Sequence, residues 1–330
     1  MDKEEADLKR GPFAFFILAI LLTFISPRWA EAQKVYRIGA LVSDDLFVPA
    51  VEGFKKKMAE LGYTEGKNVK YDFYNAKEDG DNLKKLAQKL VQDNLDLIVT
   101  SSTTATVPVA KASAGTNIPV VFLSAANPLE FVKSYASSGN NLTGISTGVL
   151  ELTAKRLELL KEIAPGVKRI ATFHNPKGVN YQAQLTEVRE AAKKLGFKLW
   201  EINVTDGKEI EQVTATISRK VVDAIFLPPD RAITRDMGVI VQQSIKEKLP
   251  LIPPPAVLNV GGLASYGHDY FALGQQGAIL VDKIIKGARP KDLPIEQPLK
   301  LNLVINLETA RAIGLKVPKE ILLRADQVIE

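Results

Sequence analysis

The sequence predicts an α/β protein made of two doubly wound parallel-sheet lobes joined by a three-stranded hinge. The first reason is internal repetition. Arg37-Ile38-Gly39-Ala40-Leu41 opens a strand whose following helix ends in Leu61-Gly62-Tyr63; Arg169-Ile170-Ala171-Thr172-Phe173 opens another whose helix ends in Leu195-Gly196-Phe197. The second half of each unit repeats too. Leu95-Asp96-Leu97-Ile98-Val99 leads to Ile118-Pro119-Val120-Val121-Phe122, as Val222-Asp223-Ala224-Ile225-Phe226 leads to Leu249-Pro250-Leu251-Ile252. The second reason is alternation. From Val35 onward, short apolar runs rich in Val and Ile alternate with amphipathic segments, the pattern of strands buried on both faces of a parallel sheet. Two similar lobes facing each other make a cleft, the usual place for a small ligand.

In chain order, the first lobe takes strands at 35–42, 68–74, 95–100, 118–123 and 142–146. The second takes 168–173, 197–203, 222–227 and 249–253. Helices fall between them at 49–61, 80–93, 104–113, 150–163, 179–195, 207–220 and 231–247. A further helix, 270–286, has no partner strand in the second lobe and is assigned back to the first. Crossings near Gly144 to Leu150, at Ser265-Tyr266-Gly267 and before the segment Leu293 to Asn306 make three linkers, which is a hinge. The expected domains are a signal peptide at 1–32, lobe 1 at 33–147 plus 268–291, and lobe 2 at 148–267 plus 292–330.

The N-terminus stands apart from this pattern. Phe13 to Ile25 is apolar except for Thr23 and spans about 13 residues, whereas a membrane helix needs roughly 20. Lys9 and Arg10 precede it and Ala30-Glu31-Ala32 follows it, which reads as a secretory signal cut after Ala32. The alternative is an uncleaved membrane anchor. The chain has no cysteine, so neither disulfides nor a lipid-bearing thiol are available, and stability rests on the core. This combination suits a soluble, monomeric protein of a bacterial periplasm. The net charge of +5 comes from lysines dispersed over helix faces, such as Lys55-Lys56-Lys57, Lys84-Lys85 and Lys193-Lys194. No basic stripe with interleaved aromatics occurs, so nucleic acid is not an expected partner.

Signals for catalysis are thin. The two histidines are His174 and His268. The HExxH, CxxC, GxSxG and GxxxxGK[ST] patterns are all absent, so no catalytic residue, metal or cofactor is expected. The loops after each strand say more, because open parallel sheets bind ligands at the carboxyl ends of their strands. In the first lobe these loops hold Asp44 and Asp45 with Phe47, then Ser101, Ser102, Thr103 and Thr104, then Asn127, then Ser146 and Thr147. In the second they hold His174 and Asn175 with Tyr181, then Asp230, then Tyr266 and His268. The hydroxyl run 101–104 lies at a helix N-terminus. It either caps the helix or receives a carboxylate, which free N–H groups and the helix dipole favour. Asp44 or Asp230 suits an ammonium, though Asp230 also fits a helix N-cap and the Asp44-Asp45 pair also fits a solvated turn. Phe47, Tyr181 or Tyr266 can cover a flat side chain, although Tyr266 equally fits a core position. The residues therefore favour a small carboxylate-bearing ligand, an amino acid or a close relative, with a non-amino-acid carboxylate as the alternative.

Several longer stretches resemble a known family. They are Leu61-Gly62-Tyr63 with Glu65-Gly66-Lys67-Asn68-Val69, Asn141-Leu142-Thr143-Gly144-Ile145-Ser146 and Lys155-Arg156-Leu157-Glu158-Leu159-Leu160. The C-terminal matches are Gly287-Ala288-Arg289-Pro290-Lys291-Asp292-Leu293-Pro294, Ile305-Asn306-Leu307-Glu308-Thr309-Ala310, Ile313-Gly314-Leu315 and Arg324-Ala325-Asp326. Together and in this order they resemble the substrate-binding proteins of ABC transporters, in the tryptophan/tyrosine-type branch. The resemblance implies a type I periplasmic-binding-protein fold, a small-molecule ligand and an ABC permease in the inner membrane as partner. The signal segment, the duplicated lobes and the lack of a catalytic constellation point to binding without catalysis. Where the family often carries Asp before Pro, this chain has Asn127-Pro128, and Asn127 supplies no negative charge. Three rival readings remain. One is a periplasmic sensor that binds a non-amino-acid small molecule and feeds a signalling partner. Another is a sugar-responsive regulator, which would need a helix-turn-helix ahead of the first lobe and no signal segment, and the sequence meets neither requirement. The last is an exported enzyme using Asp44, His174 or Asp230.

Overall fold

The repeated Arg-Ile and Asp-containing segments lie side by side in each half of the molecule. The Arg37 N–H donates to Asp96 Oδ2 at 2.8 Å, and the Asp96 N–H returns a bond to the Arg37 carbonyl at 2.9 Å. The second half repeats the clasp: Arg169 N–H donates to Asp223 Oδ2 at 2.8 Å, and Asp223 N–H to the Arg169 carbonyl, also at 2.8 Å. There the guanidinium joins in, 2.7 Å from Asp223 Oδ1. That hydrogen bond leads the effects that hold the Asp223 pKa down at about 2. The computed structural model describes residues 34–148, 152–178 and 180–330. The apolar run 13–25 and the Ala30-Glu31-Ala32 site lie outside the described residues, as do the first positions of the helix expected at 150–163.

The first sheet holds β1 (Tyr36–Val42), β2 (Val69–Asn75), β3 (Leu97–Ser101), β4 (Val120–Ala125) and β5 (Leu142–Ser146) in the order β2-β1-β3-β4-β5, all parallel. Helices α1 (Val48–Glu60), α2 (Gly80–Gln92) and α3 (Thr103–Ala112) connect the first four strands. Every residue of β3, β4 and β5 is buried, as expected for strands covered on both faces of a parallel sheet. The second system starts with α4 (Thr153–Ile163). Its sheet holds β6 (Arg169–His174), β7 (Lys198–Asn203), β8 (Ala224–Phe226) and β9 (Leu251–Ile252) in the parallel order β7-β6-β8-β9. Between them run α5 (Tyr181–Leu195), α6 (Gly207–Thr214), α7 (Arg231–Arg235) and α8 (Met237–Lys246). The helix expected at 207–220 stops at Thr214, where Thr216 Oγ1 bonds back to the Val213 carbonyl at 2.7 Å, a side-chain competitor for helix continuation. The helix expected at 231–247 divides at Asp236, which pairs with the Arg235 guanidinium at 3.1 Å.

The chain then makes β10 (Ala264–Gly267), α9 (Tyr270–Ile285), β11 (Asn302–Asn306), α10 (Leu307–Ala312), α11 (Lys319–Arg324) and β12 (Gln327–Ile329). β10 is antiparallel to β11 and β11 is parallel to β12, a small mixed sheet beside the two parallel ones. The chain passes between the two cores three times. After Ser146 it goes to α4, whose Leu157, Leu160 and Ile163 join the core of Ile170, Val188 and Phe226. After β10 it goes to α9, whose Leu273, Leu280 and Val281 pack with Ile38, Phe54 and Leu123. Leu293 to Gln297 then runs beside β5, with Ser146 N–H donating to the Glu296 carbonyl at 2.9 Å and Ile295 filling the core beside Phe122. The third passage therefore follows Gln297 rather than residue 291. α9 crosses α1 closely. A Cβ on Gly53 would stand 2.0 Å from the Phe271 carbonyl oxygen, and one on Gly274 would stand 1.8 Å from that of Ala50.

Candidate functional site

Residues at the carboxyl ends of strands in both parallel sheets line one cavity of about 300 Å³. Ser43 and Asp44 follow β1; Ser102, Thr103 and Thr104 follow β3; Thr147 follows β5. From the other side come Pro229 and Asp230 after β8, Pro254 and Pro255 after β9, and His268 and Tyr270 after β10. Strand ends of this kind are the ligand-facing positions of open α/β sheets.

The hydroxyl run is built into the first sheet. Ser102 has φ 95° and ψ 149°, and its Oγ caps α3 by accepting from Ala105 N–H at 3.0 Å. Its own hydroxyl donates to Ser43 Oγ at 3.0 Å, and Ser43 Oγ donates to Asp44 Oδ2 at 2.9 Å. Ser101 lies behind the lining, joined to Ser124 Oγ at 2.7 Å. Thr103 Oγ1 accepts from Ala126 N–H at 2.9 Å. The first-turn N–H groups of α3 have no intrahelical acceptor, as in any helix, and Thr104 among them is exposed. A carboxylate docked here meets neutral donors and the positive end of the helix dipole.

Two acidic residues behave differently. Asp44 is 2% exposed, accepts from Leu46 N–H at 2.9 Å and has the Arg231 Nε 3.0 Å from Oδ1. Asp230 caps α7 by accepting from Ile233 N–H at 3.3 Å and lies 3.5 Å from Asn175 Nδ2. Burial pushes its pKa up, and among the described residues it has no Lys or Arg within ion-pair distance. An aromatic edge completes the cavity. Phe47 and Tyr270 meet edge-on at 5.1 Å, and Tyr270 meets His268 at 4.9 Å. Burial lowers the His268 pKa to about 4.

Of the residues singled out from sequence, Asp44, Phe47, Ser102, Thr103, Thr104, Thr147, Asp230 and His268 line the cavity. The others lie elsewhere. Asp45 turns outward to Lys77 Nζ at 2.6 Å. Asn127 donates from Nδ2 to Glu130 Oε1 at 3.1 Å. Ser146 is buried and receives Gly148 N–H at 3.3 Å. Asn175 is not among the lining residues, and its Nδ2 lies 3.5 Å from Asp230 Oδ1. His174 is fully buried and packs edge-on against Tyr181 at 6.4 Å, with burial holding its pKa at about 4. Tyr266 packs on the second core. Sequence reasoning missed Glu78, Asn180, Arg231, Arg235 and Tyr270, all of which line the cavity. Extending the strand-end rule to β2 and β10 points to Glu78 and Tyr270; the others carry no sequence signal.

Two parallel α/β sheets sharing one cavity at their strand ends define a solute receptor of the type I periplasmic-binding-protein kind. The family profile described as ABC transporter substrate binding protein matches residues 36–329, so the chain belongs to that family. Extracytoplasmic capture of small ligands for ABC permeases is the work of that family. The chain is 30% identical over 292 residues to the tyrosine-binding protein of Clostridioides difficile, a match covering 87% of this chain and 83% of the relative. Among solved structures, it is similar to a Streptococcus pneumoniae ABC domain in complex with L-Trp (TM-score 0.81, 29% identity, 90% of this chain and 100% of that one). It is also similar to the ligand-free, open form of a Clostridium difficile substrate-binding protein with adhesive properties (TM-score 0.72, 27% identity, 89% and 99%). Among the described residues no helix is long and apolar enough to cross a membrane.

Proposed function

We propose that this protein captures an aromatic α-amino acid in the cavity and delivers it unchanged to an ABC permease. The observation that carries this reading is the meeting, in one cavity, of a neutral donor turn at Ser102–Thr104, the uncompensated carboxylate of Asp230 and the aromatic edge of Phe47 and Tyr270. A zwitterion with a flat side chain uses all three. The names of the tyrosine-binding relative and of the L-Trp complex support the same class. On this reading Ser43, Ser102, Thr103, Thr104 and Thr147 contact the ligand from lobe 1, and Asp230 does so from lobe 2. Lobe 1 is taken as 33–147 with 268–298 and lobe 2 as 148–267 with 299–330, with 1–32 removed on export to the periplasm. The protein then works as a monomer, without metal, cofactor or nucleic acid.

A thermal-shift screen of the twenty amino acids and a set of organic acids tests the ligand class. L-tyrosine or L-tryptophan at 100 times its dissociation constant stabilises the fold by about 2.7 kcal/mol, a rise of several degrees in Tm. Hits confined to compounds without a carboxylate sink the proposal. A measured N-terminus other than Gln33 in the exported protein removes the cleavage assignment.

A further inference from the structure

The rim of the cavity holds charges that an amino-acid ligand does not need. Arg231 comes from α7 on one side. Its Nη2 donates to Glu78 Oε1 at 2.7 Å, and its Nε stands 3.0 Å from Asp44 Oδ1, an ion pair without hydrogen-bond alignment, both carboxylates lying on the first-sheet side. Arg235 adds a third pair, with Nη1 3.3 Å from Glu78 Oε2. Glu78 is held in place by a turn in which Lys77 and Glu78 both have positive φ, 55° and 66°, and by its N–H bond to the Ser43 carbonyl at 2.9 Å. Ser43 thus fixes both acidic groups, donating its hydroxyl to Asp44 and accepting at its carbonyl from Glu78. The Asp44 side chain is 3% exposed. A carboxylate so buried is costly unless a cation stands beside it, and among the described residues the cation in ion-pair contact with it is Arg231.

We propose that Arg231 determines which ligand charge the cavity accepts. By crossing the cleft to Asp44 it cancels that carboxylate, so a cationic amine finds only Asp230. A zwitterion instead satisfies both Asp230 and the donor turn of α3. Because the pairing joins residues from the two sides, the cancellation operates only when the sides meet. The selection is therefore made at closure and not at first encounter. The charge-class half of this inference rests on the amino-acid reading above. The cross-cleft pairing does not.

Two measurements test it, with Arg231→Gln as the variant. The first is calorimetric titration at low ionic strength with L-tyrosine, tyramine (no carboxylate) and 3-(4-hydroxyphenyl)propionate (no ammonium). The expected result is a rise of tenfold or more in the tyramine-to-tyrosine affinity ratio of the variant, with the propionate weakened further than tyrosine. An equal loss for all three ligands, or an unchanged ratio, overturns charge selection. The second uses the absence of native cysteine. Dyes on K84C and K208C, on α2 and α6, report closure of the ligand-free protein by energy transfer as salt is raised. Salt screens the partly exposed pairs of Arg231 and Arg235 with Glu78 more than the buried contact to Asp44, so raised salt opens the parent, and R231Q flattens that response. An identical salt response in parent and variant overturns the pairing, whether or not any of the three ligands binds. If the parent binds none of them yet shows the salt response that R231Q removes, the amino-acid reading and its charge class fall and the pairing stands.

Discussion

At the scale of single residues, Ser102 concentrates the most stress in the site. Its φ of 95° with ψ of 149° lies in a region that glycine tolerates and other residues enter at a cost of order 1–3 kcal/mol. Its hydroxyl offsets that cost with the cap to Ala105 and the bond to Ser43. Ser102→Ala keeps the strain and loses both bonds, so it lowers stability by about 1–2 kcal/mol. Ser102→Gly loses the same bonds but relieves the strain, so it costs less than the alanine variant. Urea unfolding of the pair checks the order; an equal or larger loss for glycine refutes the strain account. Arg156 poses a different problem. It is fully buried, and its Nη2 donates to the carbonyls of Leu227 at 2.9 Å and Pro253 at 2.7 Å, at the ends of β8 and β9. The guanidinium stacks 4.7 Å over the Phe226 ring while Nε and Nη1 find no acceptor. Burial alone brings its pKa down to about 9.

At the scale of elements, the crossing of α1 and α9 is backbone against backbone, and neither carbonyl can step aside. Gly274→Ala forces the helices apart and costs about 2–3 kcal/mol or more; a Tm within a degree or two of the parent contradicts that packing. This crossing also shows what sequence could and could not reveal. The parallel strands were legible because β1, β3 and β4 are short segments rich in Val, Ile and Leu, and because the segments opening at Arg37 and Arg169, and those containing Asp96 and Asp223, repeat one another. β12, α10 and α11 were not, since segments of three to six residues carry too few turns for a periodic signal. The site divides the same way. Ser102, Thr103, Asp44 and Asp230 followed from the strand-end rule. Arg231 and Arg235 did not, because their role depends on Glu78, which lies in the turn after β2 of the first sheet, 153 and 157 residues earlier.

At the scale of the whole molecule, two buried histidines make stability depend on pH in one direction. His174 and His268 are both held near pKa 4 by burial, below the unfolded value of 6.5. Between those values the unfolded chain binds more protons than the folded one, so stability is fully present above about pH 6.5 and falls as pH drops towards 4. Each histidine contributes at most about 3 kcal/mol to the loss. Replacing His174 by Gln removes its share of the slope, and urea midpoints measured from pH 7.5 to 4.5 read it directly. Parallel curves for parent and variant contradict the assignment.

The placement of α9 has a consequence for how the chain is born. The first sheet ends its last strand at Ser146, yet the helix that seals its face against Phe54 and Leu123 begins at Tyr270. A nascent chain therefore carries a finished set of strands with an open apolar wall through more than a hundred further residues of elongation. The early half has no resting place of its own until the late half arrives. A truncation ending before Tyr270 leaves an aggregating fragment rather than a smaller receptor.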